Sequence, residues 1–488
     1  MAGAALASLA APRGSAGAAG WASRTGATGE SSGYMSRPDL NPPPITISLP
    51  AEGTAPGYIF LAPFDISAGS SAYRPAPPSQ SHSGPLIVDD SGEPVWFLPL
   101  GTKTAMGLRT QTYRGRRVLT WYEGTVLGAY GGDFVIFDPT YHEVARVQAG
   151  RGRHGDLHEF LLTLEGTALI SIYREVHADL SSVGGATDGR LVEGIVQEVD
   201  VSSGRVLFEW RSLDHVAVAE SYQTAVTKDG NVDYFHLNSI AVDLDGNLLI
   251  SARHTSAIYK VGRRSGKVIW RLGGKKSDFA VDAAASFSFQ HDVRPHAAGT
   301  ITMFDNGASL PGPGVASRGI RIALDLKGMR ATLVQQYKTA DARAGWAMGN
   351  VQPLADGGAF VGWGTDGSFS EFGPDGRLRF DARFADGSVD YRAFRLPWVA
   401  HPAGEPALAA KQNADGTITV YASWNGATDV ATWHVLAGPS QDRLKAIAAG
   451  PRDGFETAIT VPAAGGYVSV AAFDAAGKRL GAASPIAV

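Results

Sequence analysis

The feature that most constrains this chain is a repeated pattern in which a polar residue, usually His or Asn, stands eight positions before a turn glycine and a short apolar strand follows. The clearest copies are DLHEFLLTLEGTALIS (His158, Gly166), HLNSIAVDLDGNLLIS (Asn238, Gly246), QHDVRPHAAGTITMF (His291, Gly299) and GNVQPLADGGAFVGW (Asn350, Gly358). Such a repeat indicates one supersecondary unit that is used many times. It therefore predicts chemically similar groups at one equivalent place in every unit.

A second family of hairpins interleaves with the first. Its six copies are LIVDDSGEPVWF, VIFDPTYHEVARV, VQEVDVSSGRVLFEW, IYKVGRRSGKVIWRL, IRIALDLKGMRATLV and SEFGPDGRLRF. Their turns recur roughly every 50 to 60 residues, which is the spacing expected when two hairpins make each four-stranded blade of a propeller. The two families together predict a propeller of six blades.

Composition supports an all-β chain and excludes several functions. The 60 Gly and 27 Pro residues accompany short alternating strands, with no long stretch of helical periodicity. A net charge of −4 without a basic tract argues against binding to nucleic acid or to an anionic membrane. The absence of cysteine excludes a disulfide, a thiolate metal site and a cysteine nucleophile.

The chain divides into three predicted parts. Residues 1–44 combine an Ala/Gly-rich stretch, typical of an export signal that lacks its basic n-region, with a Gly/Ser-rich and Pro-rich linker. The alternatives are an incomplete twin-arginine-type leader, which predicts an exported protein of the extracellular space or cell envelope, and a disordered tail. Residues 45–400 are predicted to form the propeller, and 403–488 a small β-sandwich of fibronectin-III-like or immunoglobulin-like type.

The geometry of a propeller turns the repeat into a predicted site. The innermost strand of each blade runs beside the central channel, and the second strand of a hairpin returns to the face where the first began. Residues eight before and seven after each turn glycine therefore share one face. The first group contains His158, Asn238 and His291, with His236 beside Asn238, and the second contains Tyr173, Arg253 and Asn306. Imidazoles beside arginine and amide donors suit group transfer of an anion such as sulfate or phosphate.

Five segments carry a resemblance to a known family. FHLNSI (235–240), ISARHTSAIYKV (250–261), IWRLGG (269–274), FQHDV (289–293) and MFDNG (303–307) occur in this order. This ordered set resembles the arylsulfotransferase family, whose propeller enzymes move sulfuryl groups between phenols without a nucleotide sulfate donor. The resemblance covers about residues 36 to 400.

The resemblance implies a role for each matching residue. His291 matches the nucleophilic histidine, which would become an N-sulfohistidine and return the sulfuryl group in a ping-pong mechanism. His236 and Asn238 match the family's H-x-N-S element, and Arg253 and His254 match its S-x-R-H element. These residues would hold the sulfuryl and leaving oxygens, and His158 would act as a further sulfate ligand or acid/base. Tyr173, Asn306 and Asn350 complete the predicted substrate-binding set. The implied partners are a small aryl sulfate donor and a phenolic acceptor, with no cofactor and no metal.

Two alternatives remain open from the sequence. One is a non-catalytic extracellular propeller that binds a glycan or another ligand through its central funnel, because fold alone does not decide function. The other is a three-histidine metal site made by His158, His236 and His291. The cation of Arg253 disfavours the metal site, since it would repel a divalent ion.

Overall fold

The computed structural model describes residues 33–65, 81–125, 131–223, 231–308, 314–462 and 465–488, which are built almost wholly of β-strands. The helices of these ranges are single turns of 3-10 helix at Ser181–Val183, Ser212–Asp214, Val218–Glu220, Ala283–Ala285, Ala297–Gly299 and Gly364–Asp366. None of them has the length and apolarity needed to cross a membrane. The prediction of an all-β chain is confirmed, and the predicted export signal lies outside the described residues.

The strands up to residue 396 are β1 (Ile45–Leu49), β2 (Tyr58–Leu61), β3 (Leu86–Val88), β4 (Pro94–Phe97), β5 (Thr104–Tyr113), β6 (Arg116–Gly124), β7 (Gly132–Phe137), β8 (Glu143–Val147), β9 (Phe160–Leu162), β10 (Thr167–Ala178), β11 (Gly189–Asp200), β12 (Val206–Arg211), β13 (Asn231–Asp233), β14 (Leu237–Val242), β15 (Leu248–Ala252), β16 (Ala257–Val261), β17 (Val268–Gly273), β18 (Ala280–Val281), β19 (His291–His296), β20 (Thr300–Asp305), β21 (Arg318–Asp325), β22 (Arg330–Tyr337), β23 (Asn350–Pro353), β24 (Ala359–Gly362), β25 (Ser368–Phe372), β26 (Leu378–Phe384) and β27 (Phe394–Leu396). The later strands are β28 (Ala407–Gln412), β29 (Thr417–Ser423), β30 (Thr432–Gly438), β31 (Lys445–Pro451), β32 (Glu456–Pro462), β33 (Tyr467–Phe473), β34 (Arg479–Ala482) and β35 (Ile486–Ala487).

The strands up to β27 form six sheets, each built on four antiparallel strands. In chain order these are the first sheet (β27-β2-β3-β4), the second (β5-β6-β7-β8), the third (β9-β10-β11-β12, with β13 beside β11), the fourth (β14-β15-β16-β17), the fifth (β19-β20-β21-β22, with β18 beside β22) and the sixth (β23-β24-β25-β26, with β1 beside β26). The first strand, β1, therefore belongs to the last sheet of this region, and the last strand, β27, belongs to the first sheet. Strand β27 also contacts both β24 and β5.

The repeated turn explains how each sheet begins. In the fourth sheet, the β14–β15 turn closes with a hydrogen bond from the Gly246 amide to the Asp243 carbonyl at 2.8 Å. Gly246 has a φ of +80°, a conformation that residues with a Cβ adopt at a cost. The turn brings β15 back antiparallel to β14, which places residues on either side of the turn near one another.

The apolar core lies between successive sheets. Between the third and fourth sheets, for example, Val192 and Trp210 pack in one cluster with Ile240 and Ile250, all at most 3 % exposed. Each such side chain contributes roughly 1.5–3 kcal/mol through burial of apolar surface. The packing between sheets therefore holds the ends of their first strands in place.

The strands after residue 400 form two further sheets, β28-β29-β32 and β31-β30-β33-β34, with β35 beside β33. Alternating residues of β32 are buried, and Val420, Trp433, Val461 and Val470 pack into one apolar cluster between these sheets. This unit covers β4, the outer strand of the first sheet. There the Asn425 side chain accepts from the Phe97 amide at 2.9 Å and donates to the Phe97 carbonyl at 2.8 Å. Closure of the six sheets into blades and the sandwich assignment stay predictions.

Candidate active site

Four histidines and one arginine form a compact group at the starts of the third, fourth and fifth sheets. The ring centroids of His158 and His236 lie 4.9 Å apart, and those of His236 and His254 lie 4.6 Å apart. The His291 ring reaches the group through Tyr391, whose ring contacts His291 at 6.3 Å and His158 at 5.6 Å. We call His158, His236, His254, His291 and Arg253 the histidine cluster. All five residues were predicted as site residues from the sequence.

The backbone of this region is distorted where the cluster residues stand. Strand pairing shifts between Leu237 and Ser239 and again between His291 and Arg294, which are bulges at equivalent places in the fourth and fifth sheets. The φ angles of His236, Phe289, Asp292 and Met348 are +56°, +53°, +55° and +63°. Non-glycine residues in this region of φ are strained, and such strain concentrates at functional sites.

His291 is buried, and the position of its ring proton is fixed by Asn306. The Asn306 amide nitrogen donates to the carbonyls of Gly345 at 2.5 Å and Met348 at 3.0 Å, so its Oδ1 faces His291. Because Oδ1 only accepts, Nδ1 of His291 must carry the proton of the 2.7 Å hydrogen bond between them. Nε2 therefore carries the lone pair, and among the described residues it accepts one long hydrogen bond, from the Met348 amide at 3.3 Å.

His158 and His236 differ from His291 because each pairs with a carboxylate. Nδ1 of His158 hydrogen-bonds Oδ1 of Asp156 at 2.5 Å, and the same oxygen accepts from the His158 backbone amide at 3.1 Å. Nδ1 of His236 hydrogen-bonds Oδ2 of Asp233. A carboxylate behind an imidazole fixes its tautomer and stabilises the imidazolium that proton transfer produces. These two histidines have the surroundings of acid/base groups.

His254 connects the backbone to Arg253. Its Nδ1 lies 2.5 Å from the carbonyl oxygen of Asp233, and its Nε2 lies 2.7 Å from Nη1 of Arg253. Arg253 also donates from Nη2 to the Trp346 carbonyl at 3.1 Å and stacks over the Phe289 ring at 4.8 Å. The guanidinium is therefore held in one orientation beside the histidines.

Burial keeps three of the four histidines neutral. It lowers the pKa of His254 to about 3, and the positive charge of Arg253 acts in the same direction. Burial is also the main cause that lowers the pKa of His236 and of His291 well below the ordinary value, with a further contribution from Arg253. A neutral imidazole is the nucleophilic form, so His291 retains its lone pair on Nε2 at neutral pH.

Asn238 and Asn350 stand at the same repeat position as His158 and His291 but bind the next sheet. The amide nitrogen of Asn238 donates to the Gln290 carbonyl at 2.6 Å, at the entry to the fifth sheet. Asn350 donates to the Ala393 carbonyl at 2.8 Å and accepts from the Ala393 amide at 2.9 Å, at the entry to the first sheet. Both amides thus hold neighbouring sheets together, a role that the sequence analysis did not assign to them.

Tyr173 lies against the histidine cluster, on the face where the repeat predicts it. Its ring stacks on that of His158 with centroids 5.0 Å apart and an interplanar angle of 13°. Its hydroxyl donates to the Leu237 carbonyl at 2.8 Å, which ties the third sheet to the fourth. The two sides of the repeat also meet in the fifth sheet, where His291 contacts Asn306 directly.

Asp156, Asp233 and Tyr391 belong to the site but were missed in the sequence analysis. Both carboxylates precede their histidines closely, in the segments DLH and DYFH, so an aspartate two or three residues before a site histidine was the available signal. Tyr391 carried no such signal. Its hydroxyl donates to the Asn238 carbonyl at 2.9 Å from the segment that leads into the first sheet.

A buried network of charges lies next to the cluster and was also missed. Glu159, which follows His158, pairs with Arg109 at 2.8 Å, Arg294 at 2.5 Å and Arg392 at 3.2 Å. Asp292, which follows His291, pairs with Arg294 at 2.6 Å. Burial opposes ionisation of Glu159, but the arginines outweigh it and hold its pKa below the ordinary value. These three guanidinium groups and two carboxylates carry a formal charge of +1, which offsets the −1 that Asp156, Asp233 and Arg253 carry together in the site.

The structure also bears on the metal alternative. Across the described ranges, the group whose ligand atoms lie close enough to hold a metal is Asp233, His236 and His254, within 4.8 Å of one another. It does not include His158 or His291. Both ring nitrogens of His254 are engaged, one by the Asp233 carbonyl and the other by Arg253. A cation there would also face the guanidinium, so hydrogen bonding explains the group better than metal binding.

The chain also matches a known protein family. A sequence model of the arylsulfotransferase family (ASST) matches residues 109–385, more than half of the chain. The matched region contains the whole histidine cluster with Asp156, Asp233 and Asn306. Tyr391 and Arg392 lie just beyond it. A comparison with curated proteins finds no match.

Comparison with solved structures finds similarities that include three distant ones. The periplasmic gluconolactonase of Pseudomonas aeruginosa is 14% identical over 83% of this chain and 99% of that one, with a TM-score of 0.36. A streptogramin B lyase is 11% identical over 77% of this chain and 94% of that one, with a TM-score of 0.35. A protein of unknown function from Bacteroides caccae is 13% identical over 67% and 93%, with a TM-score of 0.38. Similarities at this level carry no argument about this chain.

Proposed function

The chain belongs to the arylsulfotransferase family, and from that premise we propose that it moves a sulfuryl group from an aryl sulfate ester to a phenolic acceptor through an N-sulfohistidine at His291. The observation that carries this proposal is the hydrogen bond from Nδ1 of His291 to Asn306. It leaves a lone pair on Nε2 of a buried, neutral imidazole beside a fixed cation. No nucleotide sulfate donor enters the scheme.

In the first half-reaction, Nε2 of His291 attacks the sulfur of the aryl sulfate. The S–Nε2 bond forms, the S–O bond to the ring breaks, and the phenolate leaves with the electron pair. The His291 ring then carries a positive charge, since Nδ1 keeps its proton. The negative charge of the attached sulfo group compensates it. A neutral partner such as Asn306 therefore suffices, whereas an acid/base histidine needs a carboxylate.

Arg253 supplies the charge that the transition state requires. Sulfuryl transfer spreads negative charge over the equatorial oxygens and the departing phenolate, by analogy with phosphoryl transfer. The guanidinium is permanently charged and already oriented by His254 and Trp346. It therefore stabilises the developing charge without first reorganising.

In the second half-reaction, a phenol oxygen attacks the sulfur. The S–Nε2 bond breaks, the new aryl sulfate forms, and His291 regains its lone pair. The phenol loses its proton on the way, which requires a base within reach. His158 and His236, each paired with an aspartate, are the candidates for this proton transfer.

We extend the proposal to the surrounding architecture. The six sheets would be the blades of a closed propeller, with the cluster at one mouth of its channel, and the contacts of β27 with β24 and β5 support such closure. Residues 403–488 would be the β-sandwich, and the protein would be exported. Sequencing the N-terminus of the mature protein tests export, because cleavage of a leader within residues 1–44 is expected.

The proposed activity is tested by incubating the purified protein with a chromogenic aryl sulfate. Without an acceptor we expect one burst of phenol release and a sulfo increment on the peptide that contains His291. Adding a phenol should remove the increment and restore turnover. Steady release with no covalent increment, or an increment on another residue, would overturn the proposal.

A further inference from the structure

Asp233 contacts two members of the histidine cluster through two different groups. Its carboxylate oxygen Oδ2 hydrogen-bonds Nδ1 of His236, and its backbone carbonyl hydrogen-bonds Nδ1 of His254 at 2.5 Å. Asp233 ends β13, the short strand that runs parallel to β11 at the edge of the third sheet. One residue of the third sheet thus reaches two histidines of the fourth.

The carbonyl contact determines how Arg253 is held. A carbonyl only accepts, so Nδ1 of His254 must be protonated, and in the neutral ring Nε2 must then be the acceptor. Nε2 is the atom to which Nη1 of Arg253 donates at 2.7 Å. If His254 took the other tautomer, two N–H groups would face each other. The orientation of the guanidinium therefore depends on the carbonyl of residue 233.

The carboxylate contact determines how His236 is used. A carboxylate that accepts from Nδ1–H leaves Nε2 of His236 unprotonated, which is the form of a base. The side chain of His236 is 22% exposed, compared with 7% for His254, so a proton gained there can pass to solvent. Once Nε2 takes a proton, the ring becomes an imidazolium, which the adjacent carboxylate stabilises.

We infer that Asp233 is a positioning residue for both partners of the transfer: its carboxylate prepares His236 as the base for the acceptor, and its carbonyl, through His254, orients Arg253 toward the sulfuryl group. The inference rests on the proposed sulfuryl transfer and assigns separate residues to the handling of the donor and of the acceptor. In the second half-reaction, the phenol proton passes to Nε2 of His236 as the phenol oxygen bonds to sulfur. In the first, a good leaving group departs as phenolate and needs no proton.

Asp233→Asn separates the two half-reactions. The amide still accepts from Nδ1–H but carries no charge to stabilise the imidazolium. We expect transfer from sulfohistidine to a phenol to slow by about 10- to 100-fold in single-turnover measurements, and more for acceptors of higher pKa. Labelling of His291 by a nitrophenyl sulfate should change by less than about 3-fold, because no proton moves in that step. Equal slowing of both steps would contradict the carboxylate role.

Two substitutions at His254 test the carbonyl role. His254→Phe keeps an aromatic ring that neither donates nor accepts a hydrogen bond, so aryl sulfate affinity should fall by about 10-fold or more and both half-reactions should slow. His254→Gln offers both a donor and an acceptor and should recover part of the affinity. Unchanged affinity in His254→Phe would contradict the carbonyl role. Asp245→Asn is the matched control, because that carboxylate pairs with Lys260 at the β14–β15 turn and should leave both half-reactions unchanged.

A measurement on the unmodified protein keeps the inference independent of activity. Nitrogen-15 spectra of the histidine rings should show Nδ1–H and an unprotonated Nε2 for both His236 and His254 at neutral pH. The Nε2–H tautomer in either ring would overturn the inference even if sulfuryl transfer is observed. The expected tautomers without any label on His291 would instead contradict the proposed function and leave the positioning of the two rings intact.

Discussion

The fifth and sixth sheets carry different residues at the same position of the repeat. Comparing them distinguishes a residue proposed to react from one that holds the fold together. His291 opens β19 eight residues before its turn glycine, Gly299. Asn350 opens β23 seven residues before Gly357, because the β23–β24 pair lacks the bulge of β19–β20. Both atoms of the Asn350 amide are used by Ala393 at the entry to the first sheet. His291 bonds within its own sheet through Nδ1, and in the part of the chain that the structure describes its Nε2 accepts a long hydrogen bond from the Met348 amide. The repeat thus places a polar group at the site, and its bonding partner decides what the group does.

The largest effect should come from removing the group that makes the fifth sheet different. His291→Asn replaces the nucleophile with the residue that the sixth sheet carries at this position. We expect covalent labelling to disappear and transfer to fall by about 1000-fold or more, with the fold retained. Mass analysis and turnover measurements check this.

His296 is the internal control for that change. It lies on the same strand and hydrogen-bonds Thr302 through Nε2 at 2.8 Å, outside the histidine cluster. His296→Asn should change turnover by less than about 3-fold, since the half-buried His296 stands outside the histidine cluster. Full activity in His291→Asn would show that His291 is not the nucleophile and that the fifth and sixth sheets do not differ in this respect.

The comparison extends to the position seven residues after the turn, where the fourth sheet carries Arg253 and the fifth carries Asn306. Arg253→Ala removes the charge beside the site and should slow transfer by about 100-fold or more. Arg253→Lys should recover little, because a lysine cannot donate to His254 and Trp346 with the same planar geometry. Near-native turnover of Arg253→Ala would place the sulfuryl group elsewhere.

Asn306→Asp converts the His291 pair into the carboxylate type seen at His158 and His236. A carboxylate would stabilise the His291 imidazolium and raise its pKa, so less of the ring would be neutral near pH 7. We expect labelling at pH 7 to slow by about 10-fold and the midpoint of the pH–rate profile to move upward. An unchanged profile would show that the neutrality of Asn306 is irrelevant to the reaction.

Asn350→Ala tests the structural half of the comparison. The change leaves the buried amide and carbonyl of Ala393 without their partner and should lower the free energy of unfolding by about 1–3 kcal/mol. Denaturant titration measures the loss, while the labelling of His291 should keep its full amplitude. Loss of labelling at unchanged stability would return Asn350 to the substrate-binding set that the sequence predicted.

The last prediction concerns the stability of the folded protein in acid rather than the reaction. The pKa of His254 is about 3 in the folded protein and 6.5 when unperturbed, so between these values the unfolded state binds a proton that the folded state does not. Stability is therefore lost as the pH falls below 6.5, by up to about 1.4 kcal/mol per pH unit for this residue. Unfolding of His254→Gln between pH 6.5 and 3 should show a shallower slope, and an equal slope would mean that His254 is protonated in the fold.

Much of the site was predictable because it follows the period of the sequence. The repeat placed His158, His291, Tyr173 and Arg253 on one face, and the structure brings them into one region. Asp156 and Asp233 were not predicted, because they precede their histidines by two or three residues and do not occupy a position of the eight-residue repeat. Tyr391 and Arg392 could not be found in this way, since they approach from the segment before β27, far along the chain from the residues that they contact.

The sequence by itself determined the all-β character and the residue types that stand at the strand starts, because strand alternation and turn glycines act over a few neighbouring residues. Which nitrogen of His291 carries the proton, which amide holds a sheet and which carboxylate faces an imidazole were decided only by the tertiary structure. Those properties depend on partners in other sheets, such as Ala393 and Asp233, and on the orientation of the Asn306 amide, which the carbonyls of Gly345 and Met348 fix. Hydrogen bonds are short and directional, so the chemistry of each repeated position depends on which donor or acceptor the folded chain brings within about 3 Å of it.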